Sequence, residues 1–261
     1  MRPVTELRAQ GFRGLLFDID DTLTTRGKLT AQAYGALERL HATGKLVVPI
    51  TGRPAGWCDH IARMWPVDAV VGENGAFHFW YDSAAGRLRK HYRDSPAVRA
   101  QKRASLDAVA QRILREVPGC ALASDQAYRE TDLAIDYCED VPALPLAAAE
   151  RIANVMREAG LCARISSIHV NGWFGAYEKL SATRRLFAER WGLDLTQAGA
   201  QFVFAGDSPN DAPMFAFFAH SVGVANVKRF AGAIESEPKF VTLAASGEGF
   251  VELIEHLLSR P

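Results

Sequence analysis

Clustered aspartates follow two apolar segments of this chain, and their spacing suits metal-assisted chemistry. Asp18, Asp20 and Asp21 follow the run GLLF, and Asp207 and Asp211 follow or closely trail the run FVFAG. Because alternate side chains of an extended strand share one side, Asp18 and Asp20 are expected to face the same way. Carboxylates gathered in one place repel each other unless a cation lies among them, and oxygen ligands favour a hard ion such as Mg²⁺.

The pair Asp18 and Asp20 can divide the work of a group transfer. An ionised Asp18 can attack phosphorus, while Asp20 gives a proton to the leaving oxygen and later takes one from water. Such pairs function when their surroundings push the two pKa values apart. An acidic turn or a helix cap would also explain the cluster. A calcium loop is disfavoured, because the stretch lacks the D-x-D-x-D-G pattern.

Alternating strands and helices are expected to position these acids. The segments GLLFDI, KLVVPI and DAVVG are typical of buried strands, and amphipathic helices are predicted over residues 30–44 and 55–65. The alternation of strands and helices resumes with a predicted helix at 178–192, a strand at 201–206 and a closing helix at 247–260. This order predicts an α/β fold with a parallel sheet. Ligands bind outside the carboxyl ends of the strands in such sheets, so both clusters should meet in one crevice if their strands are adjacent.

The rhythm changes between residues 82 and 172, where we expect an inserted α/β domain. Its predicted elements are a hairpin in YDSAAGRLRKHY, a helix over 96–117, the strand DLAIDYC, a helix over 144–160 and one or two strands within ARISSIHVNGWFGAY. We therefore assign residues 1–81 and 173–261 to a core domain and residues 82–172 to the insertion.

Composition excludes several classes of function. The 30 basic and 30 acidic residues cancel, which gives no support to a general binder of nucleic acid or of anionic membranes. We expect no membrane span, because no run of about eighteen apolar residues occurs, and residues 1–14 lack the apolar core of a signal peptide. The four cysteines form no CxxC pair, so reduced thiols and a cytoplasmic location are expected.

Four ordered motifs resemble those of the haloacid dehalogenase (HAD) superfamily. DIDDT resembles its DxDx(T/V) motif, PITGRP its second motif, YEKLSA its lysine motif and GDSPND its GDxxND motif, while ENGA is similar to an element of the Cof-type, subfamily IIB branch. The resemblance covers residues 11–81 and 173–260. It implies a HAD-like Rossmannoid core with a parallel sheet, and an inserted α/β cap domain that excludes water and reads the substrate.

The resemblance also implies an Mg²⁺-dependent phosphomonoesterase that acts on a small phosphorylated substrate through an aspartyl phosphate. Asp18 would be the nucleophile and Asp20 the general acid and base, with the backbone carbonyl of Asp20 as a metal ligand. The implied residues are catalytic (Asp18, Asp20, Thr51, Lys179), substrate-binding (Gly52, Arg53, Asn210) and metal-binding (Asp18, Asp20, Asp207, Asp211). Asp211 and Asn210 would hold the waters of the metal or orient its ligands.

Several positions leave alternatives open. Asp21 stands where many relatives have glycine, and it can be a solvated bystander, a further acid of the site or a cap of the next turn. Lys179 is followed by leucine rather than the frequent glycine, so its assignment depends on its place before a helix, with Lys28 and Lys45 as rivals. Arg53 suits either a substrate contact or a structural salt bridge.

The residues that read the substrate are also open. His169, Asn171 and Trp173 alternate along an expected strand and can offer a polar and aromatic face to a sugar, although the tryptophan can equally fill the hinge between domains. The basic run at 87–90 suits a solvated strand edge, or else a second anionic group of the substrate.

The expected substrate is a phosphorylated sugar or a sugar-glycerate. GDSPNDAPMF is particularly similar to the mannosyl-3-phosphoglycerate phosphatase group, with sucrose-phosphate phosphatases as neighbours, so mannosyl-3-phosphoglycerate is the specific candidate. A phosphosugar mutase of the phosphomannomutase type is the alternative, since it shares the core and the cap but returns the phosphate to the sugar. A binding module with an inactive site is disfavoured because every expected catalytic side chain is present.

Overall fold

The computed structural model of this chain describes residues 1–166 and 168–259. Ser167, Arg260 and Pro261 lie outside the described residues, together with the parts of the predicted strand and closing helix that contain them. The strands are β1 (Arg2–Pro3), β2 (Gly14–Phe17), β3 (Leu46–Pro49), β4 (Val70–Gly72), β5 (Phe77–Asp82), β6 (Arg87–Tyr92), β7 (Ala121–Leu122), β8 (Leu133–Asp136), β9 (Cys162–Ile165), β10 (His169–Trp173), β11 (Phe202–Gly206), β12 (His220–Gly223) and β13 (Phe240–Val241). The helices are α1 (Ala31–Ala42), α2 (Ala55–Met64), α3 (Pro96–Glu116), α4 (Leu146–Glu158), α5 (Lys179–Trp191), α6 (Leu195–Ala198), α7 (Ala212–Phe217) and α8 (Ser246–Leu258).

A six-stranded parallel sheet forms the centre of the core, in the order β1-β13-β12-β11-β2-β3. Strand β2 pairs with β11 on one side and with β3 on the other, so that Phe17 is aligned with both Ala205 and Pro49. All four residues of β2 are buried, as expected for a parallel strand that is covered on both faces. The α/β fold class predicted from the sequence is confirmed.

Helices cover both faces of this sheet, because successive side chains of a strand point to opposite sides. Leu15 and Phe17 pack with α1 and α8 on one face, whereas Leu16 packs with α5, α6 and α7 on the other. Helix α1 begins after Thr30, whose hydroxyl accepts a hydrogen bond from the Ala33 amide, as the sequence predicts. Among the described helices, none is both long and apolar enough to cross a membrane.

The hairpin of β5 and β6 belongs to a second, antiparallel sheet in the order β4-β5-β6. Its register runs unbroken from Phe77 opposite Tyr92 to Asp82 opposite Arg87. The boundary predicted between residues 81 and 82 falls inside this hairpin and would separate two strands that hydrogen bonds hold together. We therefore propose that the inserted domain begins with α3, at residue 96.

The inserted domain contains four antiparallel strands in the order β7-β8-β10-β9, with α3 and α4 packed on one face. On β10, Gly172 points toward α4, and a Cβ atom there would lie 2.6 Å from the Met156 sulfur, so the close packing requires glycine. His169 and Asn171 point to the opposite face of the same strand and line a cavity against the core. This domain therefore has the form of a cap.

Glu73, directly after β4, ties the cap to the core. One of its carboxylate oxygens accepts hydrogen bonds from the amides of Ala55 (3.0 Å) and Glu130 (2.9 Å). The other accepts from the Thr131 amide (2.6 Å) and from the Thr131 hydroxyl. Ala55 begins a core helix, whereas Glu130 and Thr131 belong to the cap, so this buried side chain joins the two domains.

Replacing Glu73 by glutamine is expected to lower the free energy of unfolding by about 1–3 kcal/mol, because the amide nitrogen would face an N–H donor at a buried site. Burial raises the pKa of Glu73 to about 7, so urea unfolding at pH 8 compares an ionised carboxylate with the amide. Glu235→Gln is the matched control, since Glu235 is exposed and makes no hydrogen bond among the described residues. Equal unfolding free energies for the two variants would contradict the role given to Glu73.

Candidate active site

The ends of neighbouring strands bring the predicted acids together. The Asp18 amide donates a hydrogen bond to the Ala205 carbonyl on β11 at 3.0 Å, so Asp18 and Asp207 leave the sheet side by side. Thr51 follows β3 on the other side of Asp18. The chain runs from β2 to β3 in one direction and from β11 to β12 in the other, and a crevice opens where these directions diverge.

Three buried carboxylates form a cluster at this edge. Oxygen atoms of Asp18, Asp207 and Asp211 all lie within 4.8 Å of one another. Burial raises the pKa of Asp18 to about 7. Burial, together with the charges of Asp18 and Asp211, also raises the pKa of Asp207 well above its usual range. The cluster therefore needs cations beside it to remain fully ionised at neutral pH.

Lys179 supplies one such cation. Its Nζ donates to Asp18 Oδ1 at 2.6 Å and to Asp211 Oδ1 at 2.8 Å. Burial alone would lower the pKa of Lys179, but these two carboxylates outweigh burial and raise it, so the ammonium stays charged. The lysine opens α5, whose start is fixed by a capping box between Glu178 and Ser181.

The rival lysines lie away from the acids. Lys45 Nζ is 4.9 Å from the centre of the Phe12 ring, and Lys28 is exposed. Leu180, in the position where glycine is frequent, packs against the apolar cluster beneath α5. A leucine here adds to the core without moving Lys179 away from the carboxylates.

Asp211 has fixed partners at both oxygens. Oδ1 binds Lys179, and Oδ2 accepts from the amides of Asp207 (3.1 Å) and Ser208 (3.4 Å). Gly206 makes this approach possible, because a Cβ atom there would lie 2.5 Å from Asp211 Oδ2. These contacts favour the orienting role for Asp211 among the roles that the motif implies.

Asp207 is oriented by residues that sequence analysis did not single out. The Thr22 hydroxyl donates to its Oδ1 at 3.3 Å, and the Asn226 side-chain amide donates to its Oδ2 at 3.0 Å. Asn226 also donates to the Asp21 carbonyl at 3.0 Å. The strand-end rule that located the aspartates would have found Asn226 too, since it closely follows β12.

The donor set fits a hard divalent cation. The pKa values of Asp18 and Asp207 are both raised, which indicates that Lys179 alone does not balance their charges. Both acids line a cavity that a cation could enter. Carboxylate oxygens in such a set favour Mg²⁺. We propose Asp18, Asp207 and the backbone carbonyl of Asp20 as its ligands.

Asp20 is paired with Arg53 through both of its carboxylate oxygens. Arg53 Nε lies 3.1 and 2.9 Å from them, and Nη2 lies 2.7 Å from Oδ1. The guanidinium also lies 3.8 Å from Asp125 and 3.9 Å from Glu139 of the cap, and it stacks over Trp57. Of the alternatives left open for Arg53, this structure contains the salt bridge, and the side chain also lines the cavity.

Asp21 adopts a backbone φ of 55°, in the left-handed region that glycine occupies most easily. This backbone requirement explains why glycine suits the position. The Asp21 amide donates to the Thr24 hydroxyl at 3.1 Å. Its carboxylate makes no hydrogen bond within the described residues and lines the cavity, in agreement with a partly solvated side chain.

The loop after β3 contains the phosphate-binding residues that the resemblance implies. Gly52 and Asn74 line the cavity, and a Cβ atom on Gly52 would lie 3.2 Å from the Asn74 side-chain oxygen. Thr51 is fully buried, and its hydroxyl accepts a hydrogen bond from the Arg53 amide at 3.0 Å. Asn74 comes from the ENGA element and was not among the predicted site residues.

A cavity lies between this edge and the cap. Asn210 lines it from the core and accepts a hydrogen bond from the Ser208 hydroxyl at 2.7 Å. His169, Asn171 and Arg164 line it from the cap. The catalytic edge of the core and the polar face of the cap sheet therefore enclose one space.

Two other predicted groups lie outside this space. Trp173 is buried and stacks with Tyr177 at 5.6 Å between the rings, so it fills the hinge. The basic run at 87–90 does not line the cavity, and its Arg89 pairs with Asp82 on the hairpin. The hinge and strand-edge alternatives therefore describe these residues.

Arg164 and Arg229 add positive charge to the cavity and were missed by sequence analysis. Both side chains line it, both are exposed, and neither forms an ion pair with any described residue. No motif contains either residue, so only the folded arrangement reveals them.

Comparisons with known proteins agree with this geometry. A family model described as haloacid dehalogenase-like hydrolase matches residues 15–100. Phosphoglycolate phosphatase from Methanosarcina mazei is 26% identical over 252 residues, which cover 95% of this chain and 98% of that protein.

Solved structures share the fold over nearly the whole chain. A HAD/COF-like hydrolase from Plasmodium vivax aligns with a TM-score of 0.69 at 18% identity, covering 98% of this chain and 99% of the other. The sucrose-phosphatase from Synechocystis sp. PCC6803, solved with sucrose and phosphate, aligns with a TM-score of 0.64 at 16% identity, covering 94% and 98%. The resemblance identified from the motifs is confirmed.

Without Mg²⁺, the stability of the protein is expected to fall as the pH rises from 5 to 7. Asp18 has a folded pKa of about 7, far above that of an unfolded aspartate near 4, so the folded chain keeps a proton that the unfolded chain has released. The resulting stabilisation is present at low pH and is lost as the pH rises through about 7, by up to about 1.4 kcal/mol per pH unit.

Urea unfolding in EDTA at pH 5, 6 and 7 measures this fall. Asp18→Asn removes the titrating group, so its stability should change less over the same range. Saturating Mg²⁺ should also reduce the fall in the unsubstituted protein, since the ion favours ionised ligands. Identical slopes for both proteins in EDTA would show that Asp18 does not hold the proton.

Proposed function

We propose, on the premise that the chain belongs to the haloacid dehalogenase-like hydrolases, that it is an Mg²⁺-dependent phosphatase for a small phosphorylated carboxylic acid. One observation carries the proposal: Asp18, Asp207 and Lys179 meet at a buried strand edge beside the Gly52 loop. This arrangement provides a nucleophile, a site for a cation and a fixed positive charge around one position. Phosphoryl transfer depends chiefly on such positioning and charge neutralisation.

In the proposed reaction, Asp18 is the nucleophile. Its Oδ2 forms a bond to phosphorus while the bond from phosphorus to the substrate oxygen breaks, and Asp20 gives that oxygen a proton. Asp20 then takes a proton from water, the water oxygen attacks phosphorus, and the aspartyl phosphate is cleaved to free Asp18 and phosphate. Asp18 and Asp207 would hold Mg²⁺, whose charge would help to neutralise the phosphoryl oxygens.

Lys179 prepares Asp18 for this attack. The lysine binds Oδ1 at 2.6 Å and so leaves Oδ2 as the attacking atom. Its ammonium also lies at the edge where negative charge develops on the phosphoryl group. The Gly52 amide can donate a hydrogen bond to the same group, because a residue without Cβ lets the phosphate approach the backbone.

Arg53 must release Asp20 for proton transfer to occur. Both oxygens of Asp20 accept hydrogen bonds from the guanidinium, and this ion pair favours the ionised carboxylate over the protonated form that a general acid requires. A substrate anion in the cavity competes for the same guanidinium. We infer that substrate binding draws Arg53 away and thereby frees the acid where it is needed.

Cavity size and charge support a small anionic substrate. The cavity beside Asp18 and Asp20 measures about 90 Å³, below the roughly 300–1,000 Å³ of pockets for drug-sized ligands, and it adjoins a second pocket of about 340 Å³ at Asn74, Arg164 and Asn210. Arg164 and Arg229 place uncompensated positive charge beside it. A short acid such as phosphoglycolate, the substrate in the name of the Methanosarcina relative, meets both conditions.

A phosphorylated sugar is the second candidate. His169 and Asn171 offer hydrogen-bonding groups from the cap, and the aligned sucrose-phosphatase was solved with a sugar and phosphate. Mannosyl-3-phosphoglycerate would combine a sugar with a carboxylate, but it would require the cap to open wider than it does here. A phosphosugar mutase would produce an isomer rather than free phosphate, so one assay for both products separates these activities.

Asp18→Asn is expected to abolish phosphate release from p-nitrophenyl phosphate, by about 10³-fold or more, because the amide cannot form the covalent intermediate. Circular dichroism should show an unchanged fold. Asp21→Asn is the matched control, since this neighbouring aspartate makes no side-chain hydrogen bond within the described residues, and it should retain most activity. Near-normal turnover by Asp18→Asn would refute the nucleophile assignment.

Arg164→Ala is expected to raise KM for phosphoglycolate about tenfold or more, because the variant would lose one charge-assisted hydrogen bond to the substrate carboxylate. The same variant should turn over p-nitrophenyl phosphate, which lacks a carboxylate, with little change. Arg115→Ala removes an arginine from the outer side of α3 and serves as the control. A screen of phosphoglycolate, 3-phosphoglycerate and hexose phosphates, with and without Mg²⁺, tests the substrate class. Equal effects of Arg164→Ala on both substrates would remove the argument for a carboxylate.

A further inference from the structure

Two histidines and a glutamate converge on the outside of the core, away from the catalytic edge. His78 on β5 and His91 on β6 stand directly opposite each other in the hairpin, with ring centres 5.3 Å apart. Glu189 reaches them from α5. Its Oε2 lies 3.1 Å from His78 Nε2 and 3.6 Å from His91 Nδ1. Three potential ligand atoms thus lie within 4.8 Å of one another.

The hydrogen-bonding capacity of the buried His78 ring is not satisfied by the described residues. The residue is completely buried, and neither of its ring nitrogens makes a hydrogen bond with a described residue. A buried polar group without a hydrogen bond costs roughly 1–3 kcal/mol, so such groups usually meet a ligand or an ion.

The distances match those around a tetrahedral metal ion. Two ligands placed about 2.0–2.1 Å from tetrahedral zinc are separated by roughly 3.3 Å, and the two observed nitrogen–oxygen distances lie on either side of this value. We propose that His78, His91 and Glu189 form a second metal site, one that takes a divalent transition metal such as Zn²⁺.

The chemistry of the ligands separates this site from the catalytic one. Two imidazoles and one carboxylate favour Zn²⁺ over Mg²⁺, whereas the carboxylates around Asp18 favour Mg²⁺. Three protein ligands leave a fourth position open to water. Arg185 Nε lies 3.8 Å from Glu189 Oε1 and so competes for this carboxylate from the side away from the histidines. Its charge is expected to weaken metal binding without preventing it.

The location of the site gives the metal a structural consequence. Strand β6 leads into the cap through α3, and α5, which carries Glu189, begins with Lys179 directly after the cap. A metal bridging the hairpin and this helix would join the two segments through which the chain enters and leaves the cap. It would thereby restrict their relative movement and stabilise the core.

Zinc titration tests the proposal, with saturating Mg²⁺ present to compete for the carboxylates around Asp18. The unsubstituted protein should bind one Zn²⁺ per chain in calorimetry, and its melting temperature should rise. His91→Ala and Glu189→Gln should each weaken binding at least tenfold, because each removes one of three ligands. Both positions are about half exposed, so the variants should fold. Co²⁺ should give visible absorption bands of a tetrahedral complex, and these should disappear in both variants.

His60→Ala is the matched control, because His60 is an exposed histidine on α2, outside the cluster. It should bind Zn²⁺ with the affinity of the unsubstituted protein. Glu189→Gln should retain full phosphate release with Mg²⁺. Zinc binding tests the metal site and phosphate release tests the proposed phosphatase, so one proposal can fail without the other. Zinc binding that is absent, or unchanged in both ligand variants, would overturn the proposal.

Discussion

The close approach of buried carboxylates is the constraint on which the rest of the structure depends. Asp18, Asp207 and Asp211 repel each other in a space that excludes most water, and burial raises the pKa values of the first two. Such an arrangement persists only if the surrounding protein holds the acids rigidly and supplies positive charge. Lys179 provides that charge, and the parallel strands β2 and β11 provide the rigidity.

The cap is coupled to this edge through buried polar groups rather than through apolar packing alone. Arg129 of the cap donates a hydrogen bond to the Gly52 carbonyl at 3.0 Å, next to the amide that is expected to hold phosphate. Glu73 accepts hydrogen bonds from cap residues on the neighbouring segment. Arg53 joins Asp20 to the acidic side chains of the cap. Charged groups therefore connect the cap to Asp20, which we propose as the general acid.

The cluster around Asp18 and the cluster around His78 offer different ligand atoms, and these atoms determine which metal ion each would favour. Around Asp18 the available donors are oxygens, and the positive charge comes from a lysine that the cluster keeps protonated. In the hairpin cluster two imidazoles face a single carboxylate, and neither ring nitrogen of His78 makes a hydrogen bond with a described residue. The two sites that we propose therefore differ in their donors: oxygens where strands end, and mostly nitrogens where a hairpin meets a helix.

The sequence by itself determined the α/β class, the order of the elements and the segments that contain the clustered acids, because local patterns encode them. Apolar runs followed by acids mark strand ends, and Lys179 stands at a recognisable helix start. Tertiary structure alone decided which distant side chains meet: Arg53 with Asp20, and Glu73 with Thr131. It also placed both strands of the hairpin with the core. Such contacts depend on strand order, crossover and the closing of the cap. These bring together residues that are far apart in the chain, and no local sequence pattern indicates that such residues are in contact.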